Sequence, residues 1–173
     1  MKKILSIFAL LSCLSSFSQS DLHIIEDCTD LSGKCYIYAS HTFIVANPEK
    51  NKGFKLDADL RRNKDTQALE VTGFLCKLVN IGTCSEKNEL ILLFEDDTKF
   101  TIYSWNKWNC DGDAWYNLSK AQVETLATKK LVKAQMKNGY SFESYMNNVD
   151  AENQNYFMRL ISDANQNKVE LQK

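Results

Sequence analysis

Aromatic residues are concentrated in one segment of the chain, residues 103–116. They are Tyr103, Trp105, Trp108, Trp115 and Tyr116, and they include all three tryptophans of the protein. Exposed aromatic rings stack on sugar rings or on a protein partner, and they supply much of the energy of such interfaces. The candidate ligand-binding residues are therefore Trp105, Trp108 and Tyr116, for a carbohydrate or a protein ligand.

The same segment also has a purely structural interpretation, because tryptophans are on average highly buried. Under this interpretation Trp105 and Trp115 fill the core of a sheet. We expect Trp108 to be exposed, since it lies between Lys107 and Asn109. The loop 106–113 would then present Trp108 to a ligand, whereas burial of all the candidate rings would exclude sugar binding.

A secreted hydrolase is the second hypothesis, with a site assembled from residues that are distant in sequence. Glycoside hydrolysis needs two facing carboxyl groups, and thiol chemistry needs a cysteine beside a base. No local catalytic motif surrounds residues of either type, so the site would need a pocket that collects at least two of them. The candidates are Asp57, Asp59, Asp111, Asp113, His41 and Cys76.

Other polar segments suggest partners or metals. The acidic run 95–97 supports a third hypothesis, an inhibitor or immunity-type protein that blocks its partner with a protruding acidic loop. Residues 111–113, Asp-Gly-Asp, lack the further acidic ligands of a calcium loop and are typical of a tight turn. With two histidines and no Cys-x-x-Cys pair, the chain has little with which to build a zinc site. We expect neither a metal nor a cofactor.

Five cysteines follow the N-terminal segment, and in an exported chain they are disulfide candidates. We predict that Cys28 and Cys35 close a local loop, and that Cys84 pairs with Cys110. Cys76 lies among apolar residues of a strand and is then the unpaired, buried thiol.

The Cys84–Cys110 pair follows from the register of a hairpin. The runs 89–95 and 99–105 are strand-like and surround the polar turn 96–98. A loop centred on Asp97 places Leu92 opposite Ile102 and, further from the turn, Cys84 opposite Cys110. Opposed residues of antiparallel strands have Cα atoms about 4.5–5.5 Å apart, a distance that a disulfide can span.

Residues 1–18 have the features of a signal peptide. Lys2 and Lys3 precede the apolar stretch 4–14, and Ser16 and Ser18 have the small-x-small spacing of a cleavage site. We expect cleavage after Ser18 or Ser20. The remainder, 19–173, is then a single exported globular domain.

Two further features concern the address of the exported protein and its partners. Residues 10–13 loosely resemble the lipobox of bacterial lipoproteins, in which the cysteine, here Cys13, is acylated; Leu11 departs from that pattern. No apolar run reaches the roughly 18–20 residues that span a bilayer, so we expect no transmembrane segment. Removal of the two N-terminal lysines from 21 basic residues leaves 19 against 22 acidic residues, a net charge of −3. This charge argues against a nucleic-acid partner.

Hydrophobic periodicity predicts the elements that must hold these residues. Alternation over 54–61 and the apolar runs 35–46 and 68–78 predict strands, as does alternation over 132–136. Ser119 and Gln122 form a capping box for a helix at 120–129. A last helix, capped by Asp150, has an apolar stripe at helical spacing. That stripe is Phe157, Leu160, Ile161 and Ala164, and the polar tail after it should fray.

The predicted fold is α+β, with a mainly antiparallel sheet of about seven or eight strands, arranged as hairpins or a meander, and two helices in the C-terminal third. The predicted function is a non-enzymatic binding or interaction module. We expect it in the periplasm, at the outer membrane or in the secreted fraction. The hydrolase and the inhibitor remain the alternatives.

Overall fold

A computed structural model describes residues 22–82 and 84–172, apart from the side chain of Pro48. The predicted signal peptide 1–18 and Cys13 lie outside the described residues. The strands are β1 Ile24–Asp27, β2 Tyr36–Ala39, β3 Phe43–Asn47, β4 Lys52–Arg62, β5 Leu69–Val79, β6 Glu89–Phe94, β7 Lys99–Tyr103, β8 Asp113–Asn117, β9 Leu131–Lys137, β10 Ser144–Asn148 and β11 Glu170–Gln172. The helices are α1 Lys120–Thr128 and α2 Tyr156–Asn165, and a 3-10 turn occupies Pro48–Lys50.

The described strands form three sheets, with strand orders β11-β1-β2, β10-β9-β6-β7 and β3-β4-β5-β8. The α+β, sheet-rich class is confirmed, although eleven strands exceed the predicted seven or eight. The additional strands are short and lack long alternating patterns, so periodicity did not reveal them. The predicted fraying of the tail is wrong for β11, which pairs parallel with β1.

Alternating side chains account for the two longest strands. In β4, Phe54 and Leu56 are buried, whereas Lys55 and Asp57, which alternate with them, lie on the outer side. Antiparallel pairing joins β4 to β5 along its length, with an irregularity after Asp59. Long alternating strands of this kind bury one face and leave the other open to solvent.

The β6–β7 hairpin corrects the predicted register. Leu92 pairs with Phe100 and not with Ile102, so the loop is centred on Asp96 and not on Asp97. Asp97 has a positive φ of 62°, the left-handed conformation that closes three-residue hairpin loops at their last position. Further out, a bridge pairs Ser85 with Asn109. The ladder shifts by two residues before this bridge, which restores the opposition of Cys84 and Cys110.

Helix α1 begins as the sequence predicts: the Ser119 side chain accepts from the backbone of Gln122, and the Gln122 side chain completes the capping box. Helix α2 begins later than predicted, with Asn155 as its N-terminal flanking residue in place of Asp150. A series of turns separates Asp150 from the helix. The predicted apolar stripe of α2 is buried throughout.

One hydrophobic core joins the inward faces of both four-stranded sheets and helix α2. The Tyr116 hydroxyl on β8 donates to the Met136 sulfur on β9 across 3.2 Å, and thus connects the two sheets. The three-stranded sheet contributes Ile24 to the same core. Arg62 adds an ion pair to it, with its guanidinium 2.6 Å from a carboxylate oxygen of Glu26.

Candidate functional site

Four exposed aromatic rings meet in two pairs, and each pair includes a tryptophan of the loop between β7 and β8. Trp105, Trp108 and Tyr140 are 59%, 54% and 56% exposed, and Trp115 is 36% exposed. Trp105 and Trp115 form one ring pair with centroids 6.3 Å apart. Trp108 and Tyr140 form another, edge to face, at 6.5 Å. We call these four residues the aromatic platform.

The platform differs from the site that the sequence suggested. Tyr116 is only 2% exposed, so we remove it from the candidate site. The expectation that Trp105 and Trp115 fill the core is wrong, because both rings are exposed. The reason is the alternation of β8, in which Ala114 and Tyr116 point inward and Trp115 therefore points outward. Trp108 is exposed, in keeping with its polar neighbours.

Tyr140 was missed by sequence reasoning. It lies in the loop between β9 and β10, more than thirty residues from Trp108, and the fold alone brings the two rings together. The available signal was the end of the alternation at Lys137, where Asn138 and Gly139 indicate a turn. Nothing in the sequence indicates which other loop that turn approaches.

Two asparagine side chains hold the loop that carries Trp105 and Trp108. Asn106 Oδ1 accepts from the backbone N–H of Trp115 at 2.9 Å, and its amide donates to the Asp113 carbonyl at 3.3 Å. Asn109 donates to the same carbonyl at 3.1 Å. The backbone N–H of Trp105 also donates to the backbone carbonyl of Trp115 at 2.9 Å. The loop thus runs bonded along the edge of β8, so its rings stand on a supported backbone.

A disulfide attaches the far end of this loop. The structure contains the pairs Cys84–Cys110 and Cys28–Cys35, the same pairs that the sequence predicts, and Cys76 is free and buried. Disulfides of this kind are compatible with an oxidising, extracytoplasmic compartment. Cys84–Cys110 joins the loop to the segment before β6.

Buried Asn138 organises the neighbouring loop that carries Tyr140. Its amide nitrogen donates to the carbonyls of Ile81 and Cys84 at 2.9 and 2.7 Å. Its oxygen accepts from the backbone N–H groups of Tyr140 and Ser141 at 2.8 and 3.1 Å. One side chain therefore supports the ring-bearing loop and the disulfide segment together.

Buried Asn88 also connects the Tyr140 loop to the segments on either side of the β6–β7 hairpin. Its side chain accepts from Gly139 N–H at 3.0 Å and donates to Ser85 Oγ at 3.1 Å, and its backbone N–H donates to Ser104 Oγ at 2.9 Å. Fully satisfied buried polar groups of this type specify one loop arrangement, because each lost bond would leave an unpaired group away from water.

Close packing and one unusual backbone angle mark the loop 138–143. A Cβ on Gly139 would lie 2.0 Å from the Glu86 carbonyl oxygen, so only glycine fits there. Phe142 has a positive φ of 60° although its side chain is bulky and exposed. Bulky residues rarely adopt this conformation, and such positions cluster at binding and active sites.

Three of the candidate hydrolytic side chains are bonded to neighbours or buried. Asp57 accepts a hydrogen bond from Thr42 at 2.6 Å, and Asp59 pairs with Arg61 at 2.8 Å. Burial, together with the carboxylates of Asp113 and Asp57, raises the pKa of the Cys76 thiol well above its ordinary value. Four pockets among residues 22–82 and 84–172 are lined without any of the six candidate side chains.

The acidic hairpin tip folds back onto the end of α1. Lys129 Nζ donates to Asp96 Oδ2 at 2.6 Å, and Lys130 lies 3.8 Å from Glu95. The hydrogen bonds from Lys129 and Thr98 lower the Asp96 pKa to about 2. The inhibitor hypothesis depends on free acidic charges, and two of the three acidic residues of this tip are neutralised within the protein.

Glu26, Cys28 and Cys35 lie close enough together to suggest a metal site, but the two sulfurs are joined in a disulfide and cannot act as thiolate ligands. Within the described part of the chain, neither helix has the length and apolar character needed to cross a membrane.

Comparisons of the chain with protein-family models, curated proteins and solved structures find no match. The geometry of the aromatic platform is therefore the basis for a functional proposal.

Proposed function

We propose that the protein is an exported, non-enzymatic binding module whose aromatic platform binds a carbohydrate. The observation that carries the proposal is the exposure of Trp105, Trp108, Trp115 and Tyr140 on loops held by a disulfide and by buried asparagines. Large rings left in water cost hydrophobic free energy, and stacking against a ligand recovers it.

The surroundings of the rings favour a sugar over a protein partner. Lys107, Asp111 and Asn117 are exposed and lie within three residues of a tryptophan along the chain, so polar side chains accompany the rings. A pyranose offers C–H groups to a ring and hydroxyl groups to neighbouring polar side chains, which matches this mixture. The cores of protein interfaces are in contrast depleted in charged residues.

The supported loops also lower the entropic cost of binding. Binding to a flexible loop loses affinity because the loop must be ordered, at a cost of about 0.5–1.5 kcal/mol for each immobilised side chain. On the platform this ordering is already provided by Asn106, Asn109 and Asn138.

The test is a fluorescence titration of the mature protein with soluble glucan, xylan and chitin oligosaccharides. Because every tryptophan belongs to the platform, binding should change the emission directly. Trp108→Ala should lose about 1 kcal/mol of stacking, which is about a fivefold rise in Kd. The melting temperature should stay within a degree or two of the wild type.

Tyr38→Ala is the matched control, because Tyr38 is an exposed ring on β2, in a different sheet. It should leave the affinity unchanged. The proposal is wrong if no oligosaccharide changes the emission, or if Tyr38→Ala weakens binding as much as Trp108→Ala does.

A further inference from the structure

The outer face of the β3-β4-β5-β8 sheet begins at the platform, because Trp115 of β8 lies on it. Leu75 on β5 is the direct cross-strand partner of Trp115 on β8. Because side chains alternate along a strand, Lys77 and Val79 share the outward side with Leu75. Val79 is 44% exposed and pairs with Gly53 on β4. The register therefore connects Trp115 to the C-terminal end of β5 on one solvent-facing surface.

A pocket of about 270 Å³ lies at the β3 edge of the same face. Its lining includes Ile44, Ala46, Lys55 and Val79 around Gly53. Gly53 contributes no side chain, and a Cβ there would lie 2.6 Å from the Val45 carbonyl oxygen. The close approach of β3 thus requires glycine, and the missing side chain leaves an apolar depression on the outward side.

The charges between the pocket and the tryptophans are balanced. Lys55, Lys77 and Asp113 lie in one cross-strand row, and Asp57 is the next outward residue of β4. Lys77 lies 3.8 Å from Asp113, and Asp57 is bonded to Thr42. Two positive and two negative side chains leave no net charge on this part of the face. An uncharged ligand is the complementary one, since an ionic ligand of either sign would meet charges of its own sign on this face.

We propose that this face extends the binding site, so that a linear, uncharged glycan lies from the tryptophans across the sheet to the Gly53 pocket. The inference rests on the carbohydrate-binding function proposed above and specifies its ligand as a chain, not a single sugar. Three strand spacings separate β3 from β8, about 14 Å, and four residues separate Leu75 from Val79, also about 14 Å. The diagonal of about 20 Å accommodates several sugar rings end to end.

The experiment compares disaccharides with hexasaccharides of the same neutral glucan, xylan or chitin series, by calorimetry on the mature protein. Wild-type affinity should rise about tenfold or more from the short to the long chain. The double substitution Ile44→Ala/Val79→Ala should abolish this increment and leave disaccharide affinity unchanged. Both residues are exposed, so the melting temperature should change little.

Met146→Ala is the matched control, because Met146 is an exposed apolar residue on the other four-stranded sheet. It should retain the full chain-length increment. Equal affinity for short and long chains, or an increment that survives Ile44→Ala/Val79→Ala, overturns the extended face while leaving the platform intact. Tighter binding of acidic polygalacturonate than of neutral chains overturns the charge argument. If no chain of any length binds, the proposed function itself fails.

Discussion

Two groups of aromatic rings in this protein have opposite roles. In the core, Phe43, Phe74, Tyr156 and Phe157 are buried, and the Phe157 ring lies 4.9–5.0 Å from each of the other three. On the platform, the rings meet in two looser pairs at 6.3 and 6.5 Å and remain open to water. The residue types are similar, but the forces that hold them differ.

The core rings hold the fold together, whereas the fold holds the platform rings in place. Burial of a large ring stabilises the folded state by removing apolar area from water. The platform rings stay partly in water, and their positions depend on hydrogen bonds of buried Asn88 and Asn138 and on a disulfide. Substitutions should therefore separate stability from binding.

The largest expected effect is on the core group. Phe157→Ala removes a ring that contacts three others, and the resulting cavity should lower the free energy of unfolding by about 3–5 kcal/mol. Phe142→Ala is the matched control, because its ring is exposed, and it should change stability by no more than about 0.5 kcal/mol. Urea denaturation measures both. Equal losses would remove the distinction between the two groups.

Removal of the Cys84–Cys110 bridge should come next. The bridge closes a loop with a sequence separation of 26 residues, and that of Cys28–Cys35 is 7. From loop-closure entropy, Cys84–Cys110 should stabilise the folded state by about 3.5 kcal/mol and Cys28–Cys35 by about 2.4 kcal/mol. The double serine variant at Cys84 and Cys110 should also weaken glycan binding, because it releases the platform loop. The variant at Cys28 and Cys35 should leave binding unchanged; the reverse pattern would contradict the role given to the bridge.

Asn138→Ala should have an intermediate effect. It removes the partner of two carbonyls and two N–H groups, and unsatisfied buried groups of this type cost about 1–3 kcal/mol. Hydrogen exchange should accelerate at Tyr140 and Ser141, with a parallel loss of glycan affinity. Asn147→Ala is the control, since Asn147 is only partly buried. Its side chain accepts one bond of 2.9 Å from the adjacent Asn148 N–H and donates two longer bonds of 3.2 and 3.4 Å. Unchanged exchange in Asn138→Ala would show that other contacts hold the loop.

Alkaline pH should destabilise the core through its buried tyrosines. Burial raises the pKa of Tyr116 and of Tyr156 above the ordinary value. The stability that depends on their neutral phenols is complete below the unfolded pKa of about 10 and is lost as pH rises toward the higher folded values. Tyr156→Phe should flatten the decline of melting temperature above pH 10, whereas Tyr140→Phe, at an exposed position, should not. An identical decline in both variants would contradict this assignment.

Sequence periodicity predicted the elements whose buried face is a regular stripe. Strands β4, β5 and β9 and the apolar face of α2 are of this kind, because alternation and helical spacing survive wherever one side meets a core. The capping box of α1 was also predictable from the sequence, since its two partners lie within one helical turn of each other. Local patterns thus accounted for much of the core.

The candidate site depended on information that local patterns do not contain. Whether Trp115 or Tyr116 faces water depends on the phase of β8 against β5, and a one-residue shift exchanges the two. The contact of Tyr140 with Trp108 depends on how two distant loops pack. Similarly, the pocket at Gly53 arises from the close approach of β3, which the alternation of β4 alone does not show.

The most direct test of the account uses the tryptophans themselves. All three belong to the platform, so tryptophan emission of the folded protein reports on that surface and on nothing else. We predict a folded-state emission maximum close to that of the unfolded chain, together with efficient quenching by acrylamide and a high anisotropy that shows immobile rings. A strongly blue-shifted emission that resists acrylamide would show that the tryptophans form part of the core, and would contradict the aromatic platform.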